Sequence, residues 1–280
     1  LIKTTYQDNY WINGSPCKTY GFRDENLIKE YEELRVTDYN KYKVNVLGEY
    51  GKSQFGGEFL KCWKSEKHVI ECSYDENLAI YLSFDENVNP YLPCGIFQVK
   101  DNNKTLVMID CITAKNPNNT LSFVCNEVKR KLKQWGHKGR VFITGDATSK
   151  KEDVKQEKGN NLFKIIEGNL KEFNPTIIVS SSNPNVVTSA AFLNSILEIN
   201  YKGLAYYVDK NCNAAITDYE YTKEDKNGKI DKKTITDPNT KISYQPYGHI
   251  VDLTRYVICA IFNNEYNMFT GNTTTNLQIG

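Results

Sequence analysis

Long apolar runs are missing from this 280-residue chain: none approaches the ~20 residues needed to span a bilayer. No amino-terminal signal sequence stands out either. The eight cysteines are scattered, with no C-x-x-C pair and no regular spacing. That excludes a disulfide framework and points to reduced, mostly buried thiols in a cytosolic setting. A charge excess of one sign is also lacking. The net charge is +1, so no global field draws in nucleic acid, and any basic surface must be local. A phosphate loop is suggested by Gly51-Lys52-Ser53 but not completed. The motif needs a glycine where Val46 stands, and Gly56 and Gly57 follow instead of a helix. We therefore read no ATP site in this chain. Zinc-finger spacing and a basic recognition helix are absent as well.

What remains is an ordinary globular composition, 40% hydrophobic and 25% charged, long enough for one large domain with an appendage or for two domains. The chain starts at Leu rather than Met, and we expect it to be a piece of something longer. Residues 1–65 read as an arm or linker. Asp24 caps a helix there, with Leu27, Ile28, Tyr31 and Leu34 on one stripe, and a second short turn lies around Asp38–Tyr42. Residues 66–270 read as the main domain and 271–280 as a polar tail.

The centre of that domain is Leu78–Asp85, a short apolar run ending on a carboxylate, which predicts a buried strand. Asn87, Asn89, Pro90 and Pro93 turn the chain. Gly95–Val99 and Thr105–Cys111 follow as two more strands, joined through Asp101-Asn102-Asn103 in an antiparallel meander. Asn119-Thr120 cap a helix over Leu121–Trp135, with Leu121, Val124, Val128, Leu132 and Trp135 on one face. Its carboxy-terminal half, from Lys129 to Lys133, reads as a solvated face with cations favourably placed against the helix dipole. Val141–Thr144 is the fourth strand, closed by Gly145-Asp146. A lysine-bearing loop (147–159), a helix (161–173), a strand (176–180), a helix (186–200) and a strand (204–208) ending near Asp209 complete the alternation. The fold class is α/β: an antiparallel three-strand start, then β-α crossovers, giving a mixed sheet flanked by helices. Asn227-Gly228 between alternating runs predicts a projecting, charged β-hairpin within 214–244. A last helix begins at His249 and carries Leu253, Tyr256, Val257, Ala260 and Ile261 as core positions.

Three acids stand out by their place in this order. Asp85 and Asp146 each end a buried strand, and Asp252 sits one turn into the last helix. Singly, an acid at a strand end is most often a turn or cap. Together, if the first and fourth strands are neighbours, they form a carboxylate cluster whose repulsion a divalent cation would relieve. Hard oxygen ligands favour magnesium or manganese. Two such ions ~4 Å apart clamp a phosphodiester, activate a water and stabilise the leaving oxygen.

That pattern resembles the nuclease domain of the large terminase subunit of tailed double-stranded DNA viruses, a ribonuclease-H-like fold. Four pieces carry the resemblance. Thr5-Tyr6-Gln7-Asp8-Asn9 followed by Tyr42 to Gly51 is similar to the family's link between ATPase and nuclease. Ser83-Phe84-Asp85 resembles the first nuclease acid and Thr144-Gly145-Asp146-Ala147 the second. His249-Ile-Val-Asp252-Leu-Thr-Arg-Tyr256 resembles the family's last helix, with Leu253 for the usual Ala, as Tyr50 stands for the usual Trp of the link.

The resemblance implies a metal-dependent endonuclease that cuts concatemeric viral DNA during packaging, with Asp85, Asp146 and Asp252 as catalytic metal ligands for magnesium or manganese, two ions in all. It makes His249 a further ligand or phosphate contact; read bottom-up, His249 is equally a helix-start residue bonded to backbone. Asp110 falls outside the ligand set. The arm would lead from a preceding ATPase domain. Partners would be double-stranded DNA, that ATPase domain, the portal and the small terminase subunit, in the cytoplasm of the infected host cell. Phosphate contacts are expected from Lys150, Lys151, Lys155 and Lys158 in the loop and from Lys226 and Lys229 on the hairpin. Two other readings use the same residues. One is a resolvase- or transposase-type ribonuclease-H-like enzyme. The other is a non-catalytic packaging-assembly domain whose acids are only caps.

Overall fold

The computed structural model describes residues 5–37, 42, 46–47, 57–86, 89–150, 161–238 and 241–271. The chain forms two compact units, Leu1–Gly56 and Gly57–Gly280. The boundary lies earlier than the expected 65/66, because Phe59, Leu60 and Trp63 are buried in the core of the second unit.

The first unit is helical where the sequence predicts it. Thr5 and Asp8 cap each other's backbone around the turn Tyr6–Asp8, and α1 (Tyr10–Asn13) follows. In α2 (Glu25–Thr37) the Asp24 carboxylate accepts from the Leu27 amide at 3.0 Å. Tyr6, Tyr42 and Val46 make a small core of their own. The second turn at 38–41, the Gly48–Ser53 stretch and the end of the tail lie outside the described residues.

The second unit opens with α3 (Ser65–His68) and β1 (Val69–Ile70). Then come β2 (Ile80–Phe84), β3 (Tyr91–Lys100) and β4 (Thr105–Lys115), the expected meander with longer strands. Helix α4 (Leu121–Gln134) is capped by Thr120 as read. β5 (Val141–Gly145), α5 (Leu162–Asn169), β6 (Thr176–Ile177), α6 (Val186–Ile199) and β7 (Ala205–Asp209) follow. The seven strands lie in the order β1-β7-β4-β3-β2-β5-β6. β5 runs parallel to β2, β6 to β5, β7 to β4 and β1 to β7. This is the mixed sheet the sequence predicts, with β2 and β5 adjacent.

Both faces of the sheet are covered. Ile80, Leu82 and Phe84 point to the face under α4 and α5. Phe97, Val99, Leu106 and Met108 point to the other. A bulge skips Ile109: Ile96 pairs with Asp110 and Phe97 with Met108. The extra residue exchanges the two faces along β4, so Ile112 and Ala114 join the α4 side while Leu106 and Met108 do not.

The expected hairpin over 214–244 is corrected in its first half. Residues 213–221 form α7 (Asn213–Tyr221), because Ala215 and Tyr219 bury against the sheet. The Asn227-Gly228 turn forms, but only the Glu224–Ile230 bridge closes it, and Ile230 is drawn into the core. The turn therefore lies on the domain instead of projecting. A short exposed ladder forms later, β8 (Ile235–Thr236) with β9 (Ser243–Tyr244). The chain ends in α8 (His249–Ile261) and α9 (Asn263–Phe269).

Candidate active site

Helix α8 crosses the sheet with almost every residue from His249 to Cys259 buried. Its seat depends on small residues and buried polar contacts. A Cβ on Gly95 would stand 2.5 Å from Phe97 Cε2 and 2.7 Å from Leu253 Cδ1, so a larger residue there would have to displace both buried side chains. The Ser83 hydroxyl on β2 donates to the Leu253 carbonyl at 2.7 Å. Asp218, on α7 and 1% exposed, accepts the amides of Gly248, Ile250 and Val251 at 2.7, 2.8 and 2.9 Å. It caps α8 from 30 residues away, since the N-cap residue itself is Gly248 at φ +103° and offers no side chain. Burial pushes the Asp218 carboxyl up to about 6, against the pull of those amides.

The three sequence-predicted acids come to one edge of this frame. Phe84 and Gly145 are register partners, so Asp85 and Asp146 leave adjacent parallel strands side by side, and the Asp146 amide donates to the Phe84 carbonyl at 3.2 Å. Asp252 faces the same edge from α8. Burial raises its carboxyl to about 6, and the Asp85 charge adds to the rise against the lowering effect of Arg255. The Tyr256 hydroxyl lies in the field of all three acids. Burial and then Asp252, Asp146 and Asp85 hold it far above its ordinary range.

Each acid is turned toward protein. Asp85 Oδ2 lies 3.1 Å from His249 Nδ1, and His249 Nε2 lies 2.9 Å from the Gln245 carbonyl oxygen. Both ring nitrogens thus face acceptors. Burial opposes a charge on this ring, but Asp85 and Gln245 outweigh it and raise the histidine pKa. His249 bonds backbone, as the helix-start reading has it, and it also meets Asp85. Asp146 Oδ1 accepts from the Thr148 amide (2.7 Å), the Thr148 hydroxyl (2.6 Å) and Asn183 Nδ2 (2.7 Å). Asp252 pairs with Arg255, which is itself buried and donates through Nε to the Ser189 hydroxyl at 2.8 Å. Among the described residues, no three His, Cys, Asp or Glu side chains converge as a ready-made metal cluster. The donors are nonetheless of the hard oxygen type, carried on two strand ends and a buried helix, and burial together with the Asp85 charge raises Asp252. They suit a divalent cation in kind, and each would have to leave its present partner to reach one.

The basic residues are less gathered. Lys150 donates to the Val179 carbonyl at 2.7 Å and ties the loop to the sheet. Lys226 and Lys229 lie on the turn after Asp225. Lys151, Lys155 and Lys158 lie outside the described residues. Asp110 stays apart from the acids, ion-paired with Lys131 of α4. Sequence reasoning missed Asp218, Asn183 and Lys232, whose charge reaches Asp252. The first two act on residues 30 or more positions away, and no local pattern announces them. Arg255 alone had a signal, its i,i+3 spacing from Asp252 on a predicted helix.

No family model matches this chain, and no curated protein matches it. Solved structures do. The large terminase of a thermophilic bacteriophage aligns with TM-score 0.50 and 13% identity, over 85% of this chain and 52% of that one. The P22 large terminase nuclease domain aligns with TM-score 0.48 and 13% identity, over 78% of this chain and 98% of that domain. The nuclease domain of the large terminase of bacteriophage SPP1, solved with bound Mn, aligns with TM-score 0.38 and 17% identity, over 67% and 92%. The chain spans about half the length of the thermophilic-phage terminase. Its seven-stranded mixed sheet, flanked by helices, shares the fold of the thermophilic-phage large terminase over the aligned part.

Proposed function

We propose that this chain is a divalent-metal-dependent endodeoxyribonuclease that cuts concatemeric viral DNA during genome packaging, with little sequence preference. One observation supports the reading: Asp85 and Asp146 leave adjacent parallel strands side by side, and Asp252 faces the same edge. These three would hold magnesium or manganese, which when bound supplies an activated water and charge stabilisation for the leaving oxygen. The chain's own side chains do the positioning. His249 orients Asp85, Asn183 orients Asp146, and Arg255 orients Asp252. Arg255, and His249 when it is protonated, offset the repulsion among the acids until metal and phosphate arrive. Lys150, Lys151, Lys155, Lys158, Lys226 and Lys229 contact DNA phosphates, so binding weakens steeply with salt. An ATPase domain, the portal and the small terminase subunit are the partners this reading calls for, in the infected host cytoplasm.

Plasmid cleavage with magnesium, manganese or EDTA tests it. Metal-dependent nicking and linearisation that vanishes in Asp85→Ala supports the enzyme. A folded wild type that cuts in neither metal overturns it for this chain. One observation favours a non-catalytic assembly domain instead: every acid already has a protein partner. That reading predicts no rise in melting temperature with magnesium, whereas ion binding to the native state raises it.

A further inference from the structure

A cavity of about 240 Å³ is lined among others by Tyr221, Tyr247, Pro246, Gln245, Lys223 and Lys233. The Tyr221 and Tyr247 rings are stacked, with centroids 5.4 Å apart and planes 22° apart. Tyr221, the last residue of α7, is 37% exposed, a large aromatic left open to solvent. Lys233 reaches outward with its side chain 88% exposed, 3.1 Å from the Asp231 carboxylate. Lys223 is held by Glu58 at 3.0 Å. The cavity touches the site through a single residue: Gln245 lines it and accepts from His249, which faces Asp85.

An open aromatic face, an apolar proline and flanking cations have one common use next to a phosphodiester site. The ring face stacks a nucleobase and the cation meets its phosphate, without reading the base edge. A paired base cannot enter, because both of its faces are covered in the duplex. We propose that this cavity is a stacking pocket for one unpaired nucleobase of the DNA substrate. It would make the chain favour DNA that is frayed or single-stranded beside the cut over fully paired duplex. This rests on the nuclease reading for its substrate class, but it is separable by experiment.

The probe is an oligonucleotide duplex carrying 2-aminopurine, either unpaired at a frayed end or paired in a blunt one, titrated with the full chain in EDTA so that nothing is cut. Stacking quenches 2-aminopurine. We expect quenching and affinity on the order of tenfold tighter for the frayed probe. Tyr221→Ala should abolish both the quench and the preference, while Tyr221→Trp keeps them. Melting temperatures of both variants verify that the fold is intact. Equal affinity for the two probes, or a quench that survives Tyr221→Ala, overturns the pocket. If the pocket behaves as expected but plasmid is not cut in either metal, the pocket stands and the nuclease reading falls. If plasmid is cut but frayed and blunt probes bind alike, the nuclease reading stands and the pocket falls.

Discussion

Three strands running the same way each deliver an aspartate at the carboxyl end: β2 gives Asp85, β5 gives Asp146 and β7 gives Asp209. From the sequence they look alike. In the structure they differ in what meets them. Asp209, 6% exposed, accepts from the Cys72 amide at 2.8 Å, the Asn211 amide at 2.9 Å and the Asn211 side chain at 2.8 Å. It joins the turn after β7 to the segment after β1, and moving it would take the acceptor from both amides. Asp85 and Asp252 are met by a histidine and an arginine, and Asp146 by an asparagine and a threonine. Apart from the Thr148 amide, those partners are side chains that can rotate away. An acid saturated by backbone is a structural part; an acid held by side chains can exchange them for a ligand.

The comparison breaks most easily at Asp85. Asp85→Asn keeps the size of the side chain and should leave the melting temperature nearly unchanged. Cleavage should fall by more than the roughly 100-fold that loss of a mere supporting partner costs. A variant that still cuts at a tenth of the wild-type rate would remove Asp85 from the site. Asn183→Ala sharpens the same point one step out. It frees Asp146 without removing it, so cleavage should drop about 10- to 100-fold, and a raised metal concentration should restore part of it. No response to metal would make Asn183 a loop tie only.

Asp209 supplies the opposite outcome. Asp209→Ala removes the acceptor of the half-buried Cys72 amide and the exposed Asn211 amide, which costs about 1 kcal/mol in denaturant unfolding. The folded fraction should cut plasmid at the wild-type rate. Loss of cutting with unchanged stability would reverse the assignment of the two kinds of acid.

How far the sequence reaches follows from the same residues. Local pattern was enough for β2 to β5, because Ile80, Leu82 and Phe84 alternate against one core and Thr120 caps its own helix. It also sufficed for the acids, whose place at strand ends is a local property. It failed where a distant partner decides. Tyr219 alternates with Tyr221 as a strand would, yet its hydroxyl meets Tyr206 and Thr254 at 2.6 Å each, and the segment is helical. Asp218 reads as one more polar residue in a charged stretch, and only the folded chain brings it to the amides of α8. The Asn227-Gly228 turn was legible, but its position was not, because Ile230 is pulled inward by a core that local alternation does not see.

The smallest expected effect, a shift in pH-dependent stability, separates the two kinds of acid without any assay of cutting. Burial raises Asp252 and Asp218 from 3.8 to about 6, and Asp85 with Gln245 raises His249 above 6.5. Each group binds its proton more tightly folded than unfolded. The stability it contributes is therefore complete below its unfolded value, 3.8 for the acids and 6.5 for the histidine, and is lost as pH rises through the folded value. In EDTA these groups make the fold less stable from about pH 4 to 6, with a second loss beyond about 6.5. Exposed acids such as Asp8 and Asp225, lowered mainly by backbone hydrogen bonds, work the other way. The measurement is thus the difference between wild type and Asp252→Asn, read as melting temperature against pH: the wild type should lose more between about pH 4 and 6 than the variant does. Magnesium should then raise the wild-type melting temperature at about pH 7.5, where Asp252 is ionised, and not at about pH 4.5, where it holds its proton. Asp209→Ala, lower in melting temperature throughout, should keep both the slope and the magnesium response, because its backbone-bonded carboxylate takes no part in either. Parallel profiles for wild type and Asp252→Asn, with no magnesium response at the higher pH, would mean that the acids at β2, β5 and α8 are caps like Asp209 after all.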